Sequence, residues 1–74
     1  MNITVKLFAS FRAGRFGEQV RPYGEGATPG EIIAELGIDP SEVGVLLANG
    51  RHAAFDQALA EGDILSVFPL IGGG

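Results

Sequence analysis

The chain has 74 residues, which is one domain, and a domain of this size has a thin stability margin. With no cysteine it can hold no disulfide, thiol nucleophile, iron–sulfur cluster or zinc knuckle. The net charge is −4, and the five cations (Lys6, Arg12, Arg15, Arg21 and Arg51) form no dense cluster, which argues against nucleic acid. The acidic excess suits either simple solubility or a basic groove on a partner protein.

Met1 runs straight into Asn2-Ile3-Thr4-Val5, with no basic start and no long apolar run. No export signal or membrane span is expected, and the cytoplasm is the expected compartment. Asn2 to Ala9 reads as a strand, with Ile3, Val5, Leu7 and Ala9 alternating against Asn2, Thr4, Lys6 and Phe8. Ser10 to Glu18 carries Gly14 and Gly17 and reads as a loop. Gln19 to Tyr23, interrupted by Pro22, is a weaker strand that would pair with the first as an antiparallel hairpin.

Thr28-Pro29-Gly30-Glu31 has the spacing of a capping box, with proline at the first helical position. Ile32, Ile33 and Leu36 form an apolar stripe, and Gly37 supplies a left-handed stop onto which Ile38 can fold. A short helix from Pro29 to Leu36 follows. Asp39 to Glu42 reads as one helical turn or a loop. Val43 to Ala48 is apolar almost throughout, as a strand covered on both faces would be. Asn49-Gly50 is a hairpin turn, and Arg51 to Ala54 the short return strand at an edge. Phe55 and Leu59 are expected to plug the core, Gly62-Asp63 to turn, and Ile64 to Phe68 to form the last strand, ended by Pro69.

Strand, strand, helix, strand, short strand, strand is an α+β order in which one main helix covers one face of a mixed sheet. That is the β-grasp, or ubiquitin-like, pattern, with the first and last strands adjacent at the centre. The expected division is a domain over 1–69 and a flexible Gly-rich tail over 70–74. Leu70 and Ile71 open this tail, and Gly72, Gly73 and Gly74 close it. Terminal glycines read either as a frayed end or as an arm that a partner threads through a channel too narrow for any side chain. After the last strand of a β-grasp domain, the second reading is the stronger.

The segments Val5-Lys6-Leu7-Phe8-Ala9-Ser10-Phe11-Arg12, Ala48-Asn49-Gly50-Arg51, Glu61-Gly62-Asp63 and Val67-Phe68-Pro69, with Gly73-Gly74 at the end, resemble the MoaD/ThiS family of sulfur carriers over the whole chain. The first and the Phe-Pro segment are closer to MoaD, the small subunit of molybdopterin synthase. Leu70, where that branch often has a second proline, and the third glycine, Gly72, depart from its pattern. The thiamine-pathway carriers share the fold and the glycine pair.

The resemblance implies that a partner related to ubiquitin-activating enzymes, using ATP and magnesium, adenylates the Gly74 carboxylate. A sulfur donor then displaces AMP to leave a thiocarboxylate. It implies a carrier rather than an enzyme, binding no cofactor itself and handing sulfur to the large subunit of molybdopterin synthase or another acceptor. Gly74 would react, and Gly72 and Gly73 would give access. Conjugation to proteins through Gly74, as a ubiquitin-like modifier, is the rival use of the same activation, and a plain binding module is a third. A monomer alone and a heteromer at work is expected.

The face of the sheet away from the helix would stay open. Phe8, Ile64 and Phe68 could form an apolar patch there beside Pro69, Leu70 and Ile71, as a partner-binding surface. The competing use of Phe8 and Phe68 is cover under the 10–18 loop. Arg12 and Arg51 read as solvated charges. His52 has no second ligand near it in sequence, so no metal site is expected, and Asp56, Glu61 and Asp63 fit turn chemistry.

Overall fold

The computed structural model describes residues 1–71; the expectations placed on Gly72, Gly73 and Gly74 lie outside the described residues. Its strands are β1 (Asn2–Leu7), β2 (Glu18–Pro22), β3 (Val43–Ala48), β4 (Arg51–His52) and β5 (Ile64–Pro69), with a single α-helix, α1 (Pro29–Glu35). They form one sheet in the order β2-β1-β5-β3-β4. β1 runs parallel to β5, and every other pair is antiparallel. The first and last strands thus lie side by side at the centre, under one helix.

Local chemistry explains why α1 forms where it does. The Thr28 hydroxyl accepts the Glu31 amide at 3.3 Å, and Pro29 takes the first helical position, where no amide is needed. At the other end Gly37 sits at φ +73, and the amides of Gly37 and Ile38 close on the carbonyls of Ala34 and Ile33, both at 3.0 Å. A helix of seven residues has little stability of its own and is held by burying Pro29, Ile32 and Ile33. These pack on Ile3, Val5 and Leu7 of β1 and on Leu65 and Val67 of β5, all fully buried.

Several expectations are corrected. β1 ends at Leu7, because the chain turns at Ala9 into a 3-10 turn over Ala9–Arg12 that buries Phe11. The 10–18 loop is further tied down by Arg15, whose guanidinium donates to the carbonyls of Leu36 and Gly37 at the end of α1. β3 is not covered on both faces: Leu46 and Ala48 are buried, but Val45 is 37% exposed and Leu47 only half-buried. The return strand is two residues long, not four. Leu59 is core, whereas Phe55 is 41% exposed, its carbonyl engaged by the Gly30 amide at 2.8 Å.

Candidate functional site

On the face of the sheet away from α1, the end of β5 and the start of β3 frame an apolar groove of about 400 Å³, lined by Gly44, Val45, Leu47, Phe68, Pro69, Leu70 and Ile71. No lining side chain is titratable. The groove can therefore bind apolar surface but offers no acid, base, nucleophile or metal ligand. Leu70 is 65% exposed and Ile71 94% exposed. Together they form an exposed apolar patch beside the groove.

Alternation along β5 places the groove's residues. Leu65 and Val67 point to the core, so Phe68 points to the open face. Phe8 meets it there, with ring centroids 4.1 Å apart and planes within 10° of parallel. Phe8 therefore braces Phe68, and the pair is half-buried by mutual contact. Of the expected patch, Phe68, Pro69, Leu70 and Ile71 are brought together and Phe8 supports them. Ile64 is exposed but stands at the opposite end of β5, about 13 Å along the strand from Phe68, beside Thr4 of β1. It takes no part in the groove.

Gly44, Val45 and Leu47 were missed from the sequence. An apolar run on β3 reads as buried, and only its pairing reveals the open face: Val45 lies opposite Phe68, and Leu47 opposite Ser66. Gly44 inside an otherwise branched and apolar strand was the available signal.

At the other end of β3 a second, polar hollow is lined by Asn49, Arg51, His52, Gln57 and Asp63 with Ala48. Asp63 is already committed there, accepting from the Ala60 amide at 2.8 Å and the Asn49 side chain at 2.9 Å. These bonds, the Ala60 amide first, hold its carboxyl below the usual carboxylate range against a small opposing effect of burial. Among the described residues, no three His, Asp or Glu side chains are grouped to hold a metal ion. No helix among them is long and apolar enough to cross a membrane.

A mixed sheet with central parallel strands, one helix on one face and an apolar groove at the C-terminal exit on the other defines a β-grasp domain of the ubiquitin-like class. The ThiS family model matches residues 5–74, nearly the whole length, and the chain belongs to the ThiS family. Among solved structures it is similar to the "Putative molybdopterin converting factor, subunit 1" of Pyrococcus furiosus, at 30% identity over 96% of this chain and 99% of that one, with a TM-score of 0.77. SAMP1 of Haloferax volcanii is 29% identical over the full length of both chains, with a TM-score of 0.76. The structure of the small archaeal modifier protein 1 of H. volcanii gives 26% identity over 95% and 98%, with a TM-score of 0.75. No curated protein sequence matches.

Proposed function

We propose that the chain is a sulfur carrier that works through the carboxylate of Gly74. Residues 1–69 act as a docking domain and 70–74 as the arm presented to partners. The observation that carries this reading is the position of the apolar groove. It opens where β5 gives way to the C-terminal residues, so a partner that covers Val45, Leu47 and Phe68 also takes hold of Leu70 and Ile71.

The chemistry is supplied from outside. A carboxylate is a poor acyl donor because oxide is a poor leaving group. In the proposed cycle the Gly74 carboxylate attacks the α-phosphorus of ATP on an adenylating partner, with magnesium held by that partner, and pyrophosphate leaves. Sulfide delivered by a donor then attacks the acyl carbon, the bond to AMP breaks and AMP leaves, and a thiocarboxylate remains. The groove's lack of titratable groups fits a chain that is the substrate of this reaction and not its catalyst. Sulfur donation into molybdopterin, with this chain as the small subunit of a two-part synthase in the cytoplasm, is the route favoured by the likeness to the P. furiosus subunit. The family match keeps the thiamine-thiazole route as the alternative.

Co-expression with a matched activating enzyme and intact-mass spectrometry tests the proposal. One oxygen of the C-terminus exchanged for sulfur is the expected product, and only the unmodified mass would overturn it. The likeness to the small archaeal modifier protein favours a second reading, conjugation to lysines through Gly74. Isopeptide adducts carrying the C-terminal glycine, found in cell lysate, would single it out.

A further inference from the structure

We propose that Gly44 is a positioning residue, which sets the direction in which the C-terminal arm leaves the sheet. The inference rests on the sulfur-carrier reading for its functional half only.

Gly44 does not have the backbone conformation that usually calls for glycine, since it is not among the residues with positive φ. Its missing side chain matters through space. A Cβ built there would lie 2.8 Å from the Pro69 carbonyl oxygen, 3.0 Å from Leu70 Cα and 3.1 Å from Leu70 N. All three are backbone atoms, so no rotamer change can make room.

The register explains the closeness. Val43 stands opposite Pro69 and Val45 opposite Phe68, so Gly44 is an extra residue in β3, a bulge facing a single step of β5. Pro69 has no amide to give to the ladder, and the bulge falls where that bond is absent. Past it, the Leu70 amide donates to the Glu42 carbonyl at 2.9 Å. Bulges bend a strand pair and increase its twist, and this one lies at the last pairing before the arm. Leu70 and Ile71, just past it, line the groove together with Val45 and Leu47.

Tight but ordinary contact to a Cβ begins near 3.4 Å. An alanine at 44 therefore drives Pro69 and Leu70 outward and strains the Leu70–Glu42 bond. Gly74 lies four positions beyond Leu70, so on the sulfur-carrier reading a shift at the exit changes how the arm is presented to the adenylating partner. Misplacement on the order of 1 Å can cost about 10²-fold in a positioned reaction.

The test uses the full chain carrying Gly44→Ala, with two readouts. The first is amide hydrogen exchange. The Leu70 amide should exchange about tenfold faster, while the Val5 and Leu65 amides of the central strands keep their protection. The second is adenylation by the matched activating enzyme, where kcat should fall at least about tenfold with KM within about threefold. Unchanged Leu70 exchange overturns the inference, as does wild-type kcat in a variant that has lost the Leu70 bond. Loss of protection throughout β1 and β5 also overturns it, since Gly44 would then be a folding residue. Should the wild-type chain itself resist adenylation, the sulfur-carrier reading fails, while the Leu70 amide still decides whether Gly44 aims the arm.

Discussion

Ala9 shows how single residues are held against their own preference. Its φ is +52, a region where an L side chain costs about 1–2 kcal/mol relative to the right-handed conformation. The neighbours impose it: Phe8 is fixed by its stack on Phe68 and its amide bond to the Val67 carbonyl, and Phe11 is buried. The chain between them must reverse within two residues. Ala9→Gly should relieve the strain at the cost of a more flexible unfolded chain, a net gain of up to about 1 kcal/mol. A higher urea midpoint with unchanged slope would show it, and a lower midpoint would refute the strain argument. Asn49, at φ +54, is a different case, because asparagine tolerates this region and its side chain is used. Gly37, Asn49-Gly50 and Gly62 announce their turns locally and could be read from the sequence. The reversal at Ala9 could not, because it is dictated by rings that meet only after folding.

Between elements, a set of three hydrogen bonds joins the β3–β4 turn to the start of β5. Asn49 Oδ1 accepts the Ile64 amide, its Nδ2 donates to Asp63, and the Asn49 amide donates to the Ile64 carbonyl, at 2.8 to 2.9 Å. Asp63 is held below the usual carboxylate range by the Ala60 amide first and by the Asn49 side chain second, so the native state favours its charged form. A depressed folded pKa gives a contribution that is complete above the unfolded value, near 4, and is lost as pH falls through the folded value. Denaturation midpoints should therefore be flat near neutrality with respect to this group and drop in acid. Asp63→Asn should lower the neutral midpoint and reduce the acid drop. If it leaves the acid limb unchanged, the tie is not the source.

The same scale shows what sequence pattern can carry. Capping and stop signals located α1 to within a residue, because helix ends are made by neighbours in the chain. The Val43–Ala48 run gave a strand but not its open face, since exposure depends on what lies across the sheet. Phe55 was assigned to the core by composition alone. It stays exposed because the Gly30–Phe55 backbone bond holds that segment at the rim of the helix. Arg15 carries no local sign of its role, which exists only once the fold brings the carbonyls of Leu36 and Gly37 to it.

For the whole molecule, the two faces of the sheet divide the work. The helix face supplies stability through Ile32, Ile33 and the central strands, whereas the open face keeps Val45, Leu70 and Ile71 in water, which no folding requirement explains. Three of the five cations are engaged at the surface: Lys6 faces Glu18, Arg21 pairs with Glu35 at 3.2 Å, and Arg15 donates to the carbonyls at the end of α1. Leu47→Ala removes groove surface from a half-buried site on the face opposite the core. It should weaken binding to the proposed activating enzyme by about 1–2 kcal/mol, roughly five- to thirtyfold, with the fold retained. Phe55→Ala, an apolar change at a more exposed site outside the groove, should alter affinity by less than about twofold. Titration calorimetry on both variants, with thermal melts alongside, separates docking from stability. Equal losses in the two, or none for Leu47, would mean that the groove is not where the partner sits.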